Sequence, residues 1–286
     1  MAARPAAPDL ESLRLVTVTG ATTVEIRPTA GLNTQILEVW VDGPADRSHV
    51  DVTVGTTLIG RFPVKWNDCL FFAPFTGSIE NISFFGLLRE IFGPDVFIEA
   101  DESETITFTF SAAPTAVHVL YRHTSGTIDK TKPLRSRQAR TPFVPIITHN
   151  ATINATGNFA LDTHLRPTGF PEIRNGAVIP SGLRFILKAL AFGSTSAGNT
   201  VPTFAHIWRK TFELFTPITH QGVSVHPSRN LLLFDVRFKD VFTVPDYAFE
   251  AGDTITLNFD ATYDGSNTIP AQRLALFLIG WLEGGR

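Results

Sequence analysis

Pro94-Asp95-Val96-Phe97-Ile98-Glu99-Ala100-Asp101, followed by Glu104-Thr105-Ile106-Thr107-Phe108-Thr109-Phe110, is the stretch whose reading decides the fold. Its second half alternates strictly, with Ile106, Phe108 and Phe110 on one face and threonine on the other. A period of two is that of a half-buried strand. The same grammar returns as Pro245-Asp246-Tyr247-Ala248-Phe249-Glu250-Ala251-Gly252, then Asp253-Thr254-Ile255-Thr256-Leu257-Asn258-Phe259. Pro245 stands 151 positions after Pro94, and Thr254 stands 149 after Thr105. Asn81 and Asn230, which open the two runs, are 149 apart. Nearer the start, Gly31-Leu32 leads into Ile36-Leu37-Glu38-Val39. Gly182-Leu183 leads into Ile186-Leu187-Lys188-Ala189, 150 positions on. A near-constant offset at both ends of a unit reads as duplication of a whole domain.

Other strand-like runs fill each half. Leu13 to Thr19, Val24 with Ile26, Ile36 to Val41 and Val117 to Tyr121 belong to the first. Leu183 to Phe192, Phe204 to Phe215 and Leu274 to Trp281 belong to the second. Turn signals such as Asp42-Gly43-Pro44 bound them. Helical pattern is scarce. Asp9 to Leu15 reads as one turn capped by Asp9. Phe84 to Phe92 reads as a short helix stopped by Gly93-Pro94, with a counterpart near Asn230 to Phe242. The fold class expected is therefore all-β: two tandem β-sandwich units with few short helices. The expected division is an N-terminal segment, 1–14; a first unit, 15–123; a linker and connecting loop, 124–164; and a second unit, 165–286.

Composition narrows the function. Hydrophobic residues make up 43% and charged residues 18%, the balance of a folded chain. Phenylalanine dominates the aromatics, 24 against 3 Tyr and 4 Trp. Phe brings apolar area without a polar group to satisfy, which suits cores and subunit seams alike. A net charge of −3 gives no global pull toward nucleic acid. The single cysteine, Cys69, excludes an internal disulfide and reads as a buried, inert thiol. No apolar run reaches membrane-spanning length, and the N-terminus has no signal-peptide core, so a soluble chain made in the cytoplasm is expected. Without a secretion signal, the sequons at Asn81, Asn150 and Asn154 carry little weight.

Chemistry-bearing motifs are missing. None of the eight histidines pairs at HxH or HExxH spacing. His118 and His123, five apart on one strand, face opposite sides. No nucleophile elbow, phosphate loop or dinucleotide fingerprint occurs. Glu99, Asp101, Glu102 and Glu104 form an acidic cluster that a calcium ion or a glycosidase could use. The matching position, Glu250-Ala251-Gly252-Asp253, points to a solvated turn in both copies. Trp40 and Trp281 read as core, whereas Trp66, in Lys65-Trp66-Asn67-Asp68, is the candidate exposed aromatic for stacking a ligand. The segment His123 to Arg140 carries Lys130, Lys132, Arg135, Arg137 and Arg140. It reads as a solvated linker or as a contact for nucleic-acid or lipid phosphate. No cofactor, metal or enzymatic activity is expected.

Two tandem β-units of equal length, a mid-chain linker, a short helical segment late in each unit and no catalytic motif form a recognisable set. The arrangement resembles the double jelly-roll major capsid proteins of tailless icosahedral membrane-containing dsDNA phages, the tectivirus and corticovirus type. The resemblance is architectural and carries over no functional residue. It implies a structural coat protein, made in the host cytoplasm and resident in the virion. Three chains would form a trimer of pseudo-hexagonal outline, and trimers would tile a capsid lattice. A second capsid protein and an internal membrane are the further partners it implies, with no sequence-specific nucleic acid. Arg4, Arg14 and the basic linker become the candidates for contact with lipid headgroups or neighbouring subunits. The competing expectations are a tandem β-sandwich carbohydrate-binding module or adhesin that uses Trp66, and a bicupin-like enzyme.

Overall fold

The computed structural model describes residues 13–66, 69–72, 98–125, 141–152, 154–155, 157–193, 210–215, 218–220, 223–225, 229–233, 242–261, 270–273 and 275–284. The chain is all-β, and there is no helix among the described residues. Leu13, Arg14 and Leu15, the end of the first expected helical turn, are extended. The expected helix at 84–92 lies outside the described residues. Its expected counterpart near 230–242 begins and ends in strand, with 234–241 outside the described residues.

Among the described residues, nine strands come from the first part of the chain: β1 Leu13–Thr19, β2 Thr23–Ile26, β3 Asn33–Asp42, β4 Ser48–Val54, β5 Thr57–Trp66, β6 Cys69–Leu70, β7 Ile98–Ala100, β8 Ile106–Phe110 and β9 Ala116–Thr124. They build a four-stranded sheet ordered β1-β9-β3-β7 and a five-stranded sheet ordered β2-β8-β4-β5-β6. The described ladders are antiparallel. The alternation seen in the sequence sets the register. Ile106, Phe108 and Phe110 of β8 are buried, as are Val50, Val52 and Val54 of β4 and Val24 and Ile26 of β2. A slip of one residue would turn the β8 set outward. At ~1.5–3 kcal/mol per buried side chain, that slip costs roughly 5–9 kcal/mol.

Twelve strands follow among the described residues: β10 Thr141–Phe143, β11 Ile146–Thr148, β12 Gly157–Ala160, β13 Thr163–His164, β14 Leu183–Gly193, β15 Lys210–Phe215, β16 Ile218–His220, β17 Val223–Val225, β18 Arg229–Leu233, β19 Phe242–Phe249, β20 Thr256–Ala261 and β21 Ala275–Gly284. One sheet runs β13-β11-β21-β14-β19, with β10 also pairing β21; another runs β12-β20-β15-β18; β16 and β17 form a hairpin.

The two sets of sheets are wound alike. In the first set, β1, β3, β7 and β9 go to one sheet and β2, β4, β5 and β8 to the other. In the second set, β11, β14, β19 and β21 go to one sheet and β12, β15, β18 and β20 to the other. Taken in chain order, the sequence of visits is the same, and so is the order within each sheet: β1-β9-β3-β7 matches β11-β21-β14-β19, and β2-β8-β4-β5 matches β12-β20-β15-β18. The two strand orders run parallel to the offset read from the sequence.

Finer detail repeats too. The ladder of β3 with β9 is interrupted between Ile36 and Glu38, and that of β14 with β21 between Leu187 and Ala189. A β-bulge thus interrupts the corresponding ladder of each set, bending and twisting the strand there. The acidic turn repeats as well. The amide of Asp101 donates to Glu104 Oε2 at 3.2 Å, and that of Glu250 donates to Asp253 Oδ2 at 2.7 Å. The return bonds run from the Glu104 amide to the Asp101 carbonyl and from the Asp253 amide to the Glu250 carbonyl. Of the two asparagines that open the matched runs, Asn230 lies in β18 and Asn81 lies outside the described residues.

By packing, the chain divides into one unit of Met1–Ile59 with Phe71–Gln138 and another of Gly60–Leu70 with Ala139–Arg286. The strand β5 therefore starts in the first unit and ends in the second. In the second unit, Phe143, Phe170, Phe185 and Phe249 pack ring against ring, with centroids 5.5–5.7 Å apart. Such pairs add ~0.5–1.5 kcal/mol each beyond the area they bury.

Candidate interaction surface

The acidic cluster is a turn and its oxygens are used locally. Asp101 is buried and its Oδ1 accepts from the Ser103 amide at 2.7 Å and the Ser103 hydroxyl at 2.6 Å. Glu102 Oε2 accepts from the Gly31 amide at 2.8 Å. No group of three or more His, Cys, Asp or Glu side chains suited to a metal occurs among the described residues.

Trp66 does not form an exposed platform. Only 1% of it is accessible, and its ring meets Phe277 edge-on with centroids 6.1 Å apart. It shares the buried face of β5 with Phe62 and Val64, four and two residues earlier. The physical reason is the strand period: the charged neighbour Lys65 points the other way. Of the basic candidates, Arg14 lies in β1 and is exposed. Arg4, Lys130, Lys132, Arg135, Arg137 and Arg140 lie outside the described residues.

The surface that stands out is one face of β1, β9 and β3. Cross-strand register places Leu13 opposite Arg122, Leu15 opposite Leu120 and Thr17 opposite His118. The next strand adds Gln35, Glu38 and Trp40 opposite the same three β9 residues. Leu13 is 63% exposed and Leu15 48%, and Leu120 is half-buried between polar ladders. On one side of this strip, Arg122 Nε donates to Gln35 Oε1 at 2.8 Å, and Gln35 Nε2 donates to Glu99 Oε1 at 3.2 Å. On the other side, His118 lies 2.9 Å through Nδ1 from Thr17 Oγ1 and 3.0 Å through Nε2 from Asp42 Oδ2. An apolar centre with a polar rim is the anatomy of a protein contact surface. The Thr17–His118–Asp42 chain also ties edge strand β1 through β9 to β3. No spacing signal announces it, because the three residues are brought together only by strand register.

His123, the other histidine of β9, is buried, with Thr34 Oγ1 and Thr29 Oγ1 each 3.1 Å from a ring nitrogen. Burial, and then the charge of Arg14, hold its pKa below the ordinary histidine value. In the second unit, His164 accepts the Ile173 amide at Nδ1, 3.0 Å away. Loss of hydration, then Arg166, pushes its pKa down to about 3. These histidines are neutral structural groups.

Comparison with known protein families and with curated proteins returns no match for this chain.

Proposed function

We propose that this protein is a structural viral coat protein built from two tandem jelly-roll units, assembling as trimers that tile an icosahedral shell. The observation that carries the reading is the strand order, β1-β9-β3-β7 with β2-β8-β4-β5, and its repetition in the second copy. The order in which eight strands change sheets supports a jelly-roll winding, a fold used by viral capsid domains. The kept bulge and the kept acidic turn support one ancestral unit present twice. Duplication supports assembly geometry: a trimer of doubled units offers six near-equal edges to its neighbours. The exposed leucine strip with its polar rim supports a chain that meets another protein. The Phe-rich composition supports burial beyond a single chain's needs. A second coat protein and an internal membrane belong to this reading as partners, with Arg4, Arg14 and the basic segment 130–140 as contacts. The carbohydrate-binding alternative rested on Trp66, which is buried.

Electron microscopy of the purified chain, concentrated alone and with anionic vesicles, tests the proposal. Shells, sheets or regular patches with a pseudo-hexagonal unit are expected. Dispersed single chains under every condition would overturn it.

A further inference from the structure

We propose that the face of β1, β9 and β3 carrying Leu13, Leu15 and Leu120 is the seat for a second copy of this chain, which brings to it the sheet edge ending in β18. The proposal rests on the coat-protein reading and names the surface through which copies meet.

The duplication supplies the argument. When the two bulges are aligned, Leu120 corresponds to Ile279, His118 to Phe277, and Thr17, which pairs with His118, to Ile146, which pairs with Phe277. In the second unit this face is apolar and buried: Ile146, Phe277, Ile279 and Trp281 have almost no exposure. Arg184, Lys188 and Glu283 border it. Lys188 Nζ lies 5.1 Å over the Trp281 ring, and the Trp281 indole N–H donates to Glu283 Oε1 at 2.7 Å. Arg184 is paired with Glu283 and Glu250. The segment Gly60–Leu70 packs with the second unit, and within it the end of β5 sets Trp66 on Phe277.

The counterpart of β5 in the second copy is β18, Arg229–Leu233, also a neighbour of the strand that follows the bulged one and the edge of its sheet among the described residues. Its sequence runs Arg-Asn-Leu-Leu-Leu. Unlike the end of β5, it stays within its own unit. One seat is thus filled inside the chain by the end of β5, while the matching seat on the first unit carries exposed leucines. The element matched to fill it lies on the other copy of the domain. Repeating the internal contact between chains joins them head to tail, an interface that propagates until the ring closes.

The test uses the full chain with a photo-reactive benzoylphenylalanine at Leu15, cross-linked in a mixture of isotope-labelled and unlabelled protein. In parallel, a Leu13→Glu/Leu15→Glu variant is sized by light scattering. The expected result is cross-links from position 15 to residues 210–261 of a different chain. The variant should keep its thermal unfolding midpoint but associate at least ~30-fold more weakly, the loss typical of charging a contact centre. If the wild type associates and the variant does so equally well, the seat is wrong and the coat reading stands. Cross-links to residues 1–12 of the same chain, or to other sheets, also overturn the seat. A wild type that never associates overturns the coat reading itself. Should the double variant unfold, Leu15→Ser, with the photo-reactive group at Leu13, gives the same discrimination.

Discussion

Trp66 shows how much a single residue's placement changes. Read by its immediate neighbours Lys65, Asn67 and Asp68, it looks solvent-facing; read by the strand period, it falls in line with Phe62 and Val64, and burial follows. Its Nε1–H finds no acceptor among the described residues. An unmet buried donor costs ~1–3 kcal/mol. Trp66→Phe should therefore leave stability within ~1 kcal/mol of wild type, the lost volume being offset by the lost donor. Trp66→Ala should cost ~3–5 kcal/mol through the cavity it leaves. Urea unfolding of both variants checks this, and equal losses would refute it. A second residue-scale prediction concerns acid. The folded-state pKa of His164 is about 3, below the ordinary value of 6.5. A histidine whose folded pKa is depressed favours the folded state above 6.5 and loses that contribution as pH falls from there toward 3. His149, buried and bonded through Nδ1 to the Ala151 carbonyl, shifts in the same direction. Unfolding midpoints should thus fall steadily below pH 6.5. In His164→Gln this acid limb should be shallower, because the proton that His164 takes up on unfolding is removed.

At the scale of elements, the sequence was most readable where one face alone is buried. The alternation in β8 and the apolar runs of β3, β14 and β21 marked strands before any coordinates. The offset between Thr105 and Thr254 marked equivalent ones. What could not be read is which body a strand's second face packs against. Residues 60–70 lie inside the stretch expected to form the first unit, 15–123, yet pack with the second. Hydrophobic period says that a side chain is buried, not by what. The Thr17–His118–Asp42 chain was equally invisible, since it depends on the register of three strands. Replacing His118 with Phe should cost ~1–2 kcal/mol, from two lost hydrogen bonds and a carboxylate left short of a partner. Hydrogen exchange should show the loss first in edge strand β1. The bulged ladder of β14 and β21 makes a sharper case at Gly280, opposite Leu187 beside the bulge. A Cβ there would run into the Ile186 carbonyl and come within 2.8 Å of the Phe185 ring. Gly280→Ala should therefore destabilise by more than ~3 kcal/mol, seen as a lowered melting temperature or loss of soluble protein. An unchanged melt would show that the two strands are free to move apart.

For the whole molecule, the repeat carries the argument. A single β-unit with these strands would be a fold and no more, because the same winding serves lectins, cupins and coat proteins. Two sets of sheets wound alike, each with a bulge and an acidic turn at the corresponding place, are what the coat-protein proposal rests on. The sequence carries no recognised catalytic motif, and its internal offset is what points the proposed function toward assembly geometry. The surface proposed for assembly is readable only from the register of β1 on β9, which sets Leu13 and Leu15 beside Leu120 on one face. The direct test of the central claim is the solution mass of the full-length protein by sedimentation equilibrium across micromolar concentrations. The account predicts a species of three chains, with larger multiples as concentration rises. A single-chain mass at every concentration and ionic strength would contradict it.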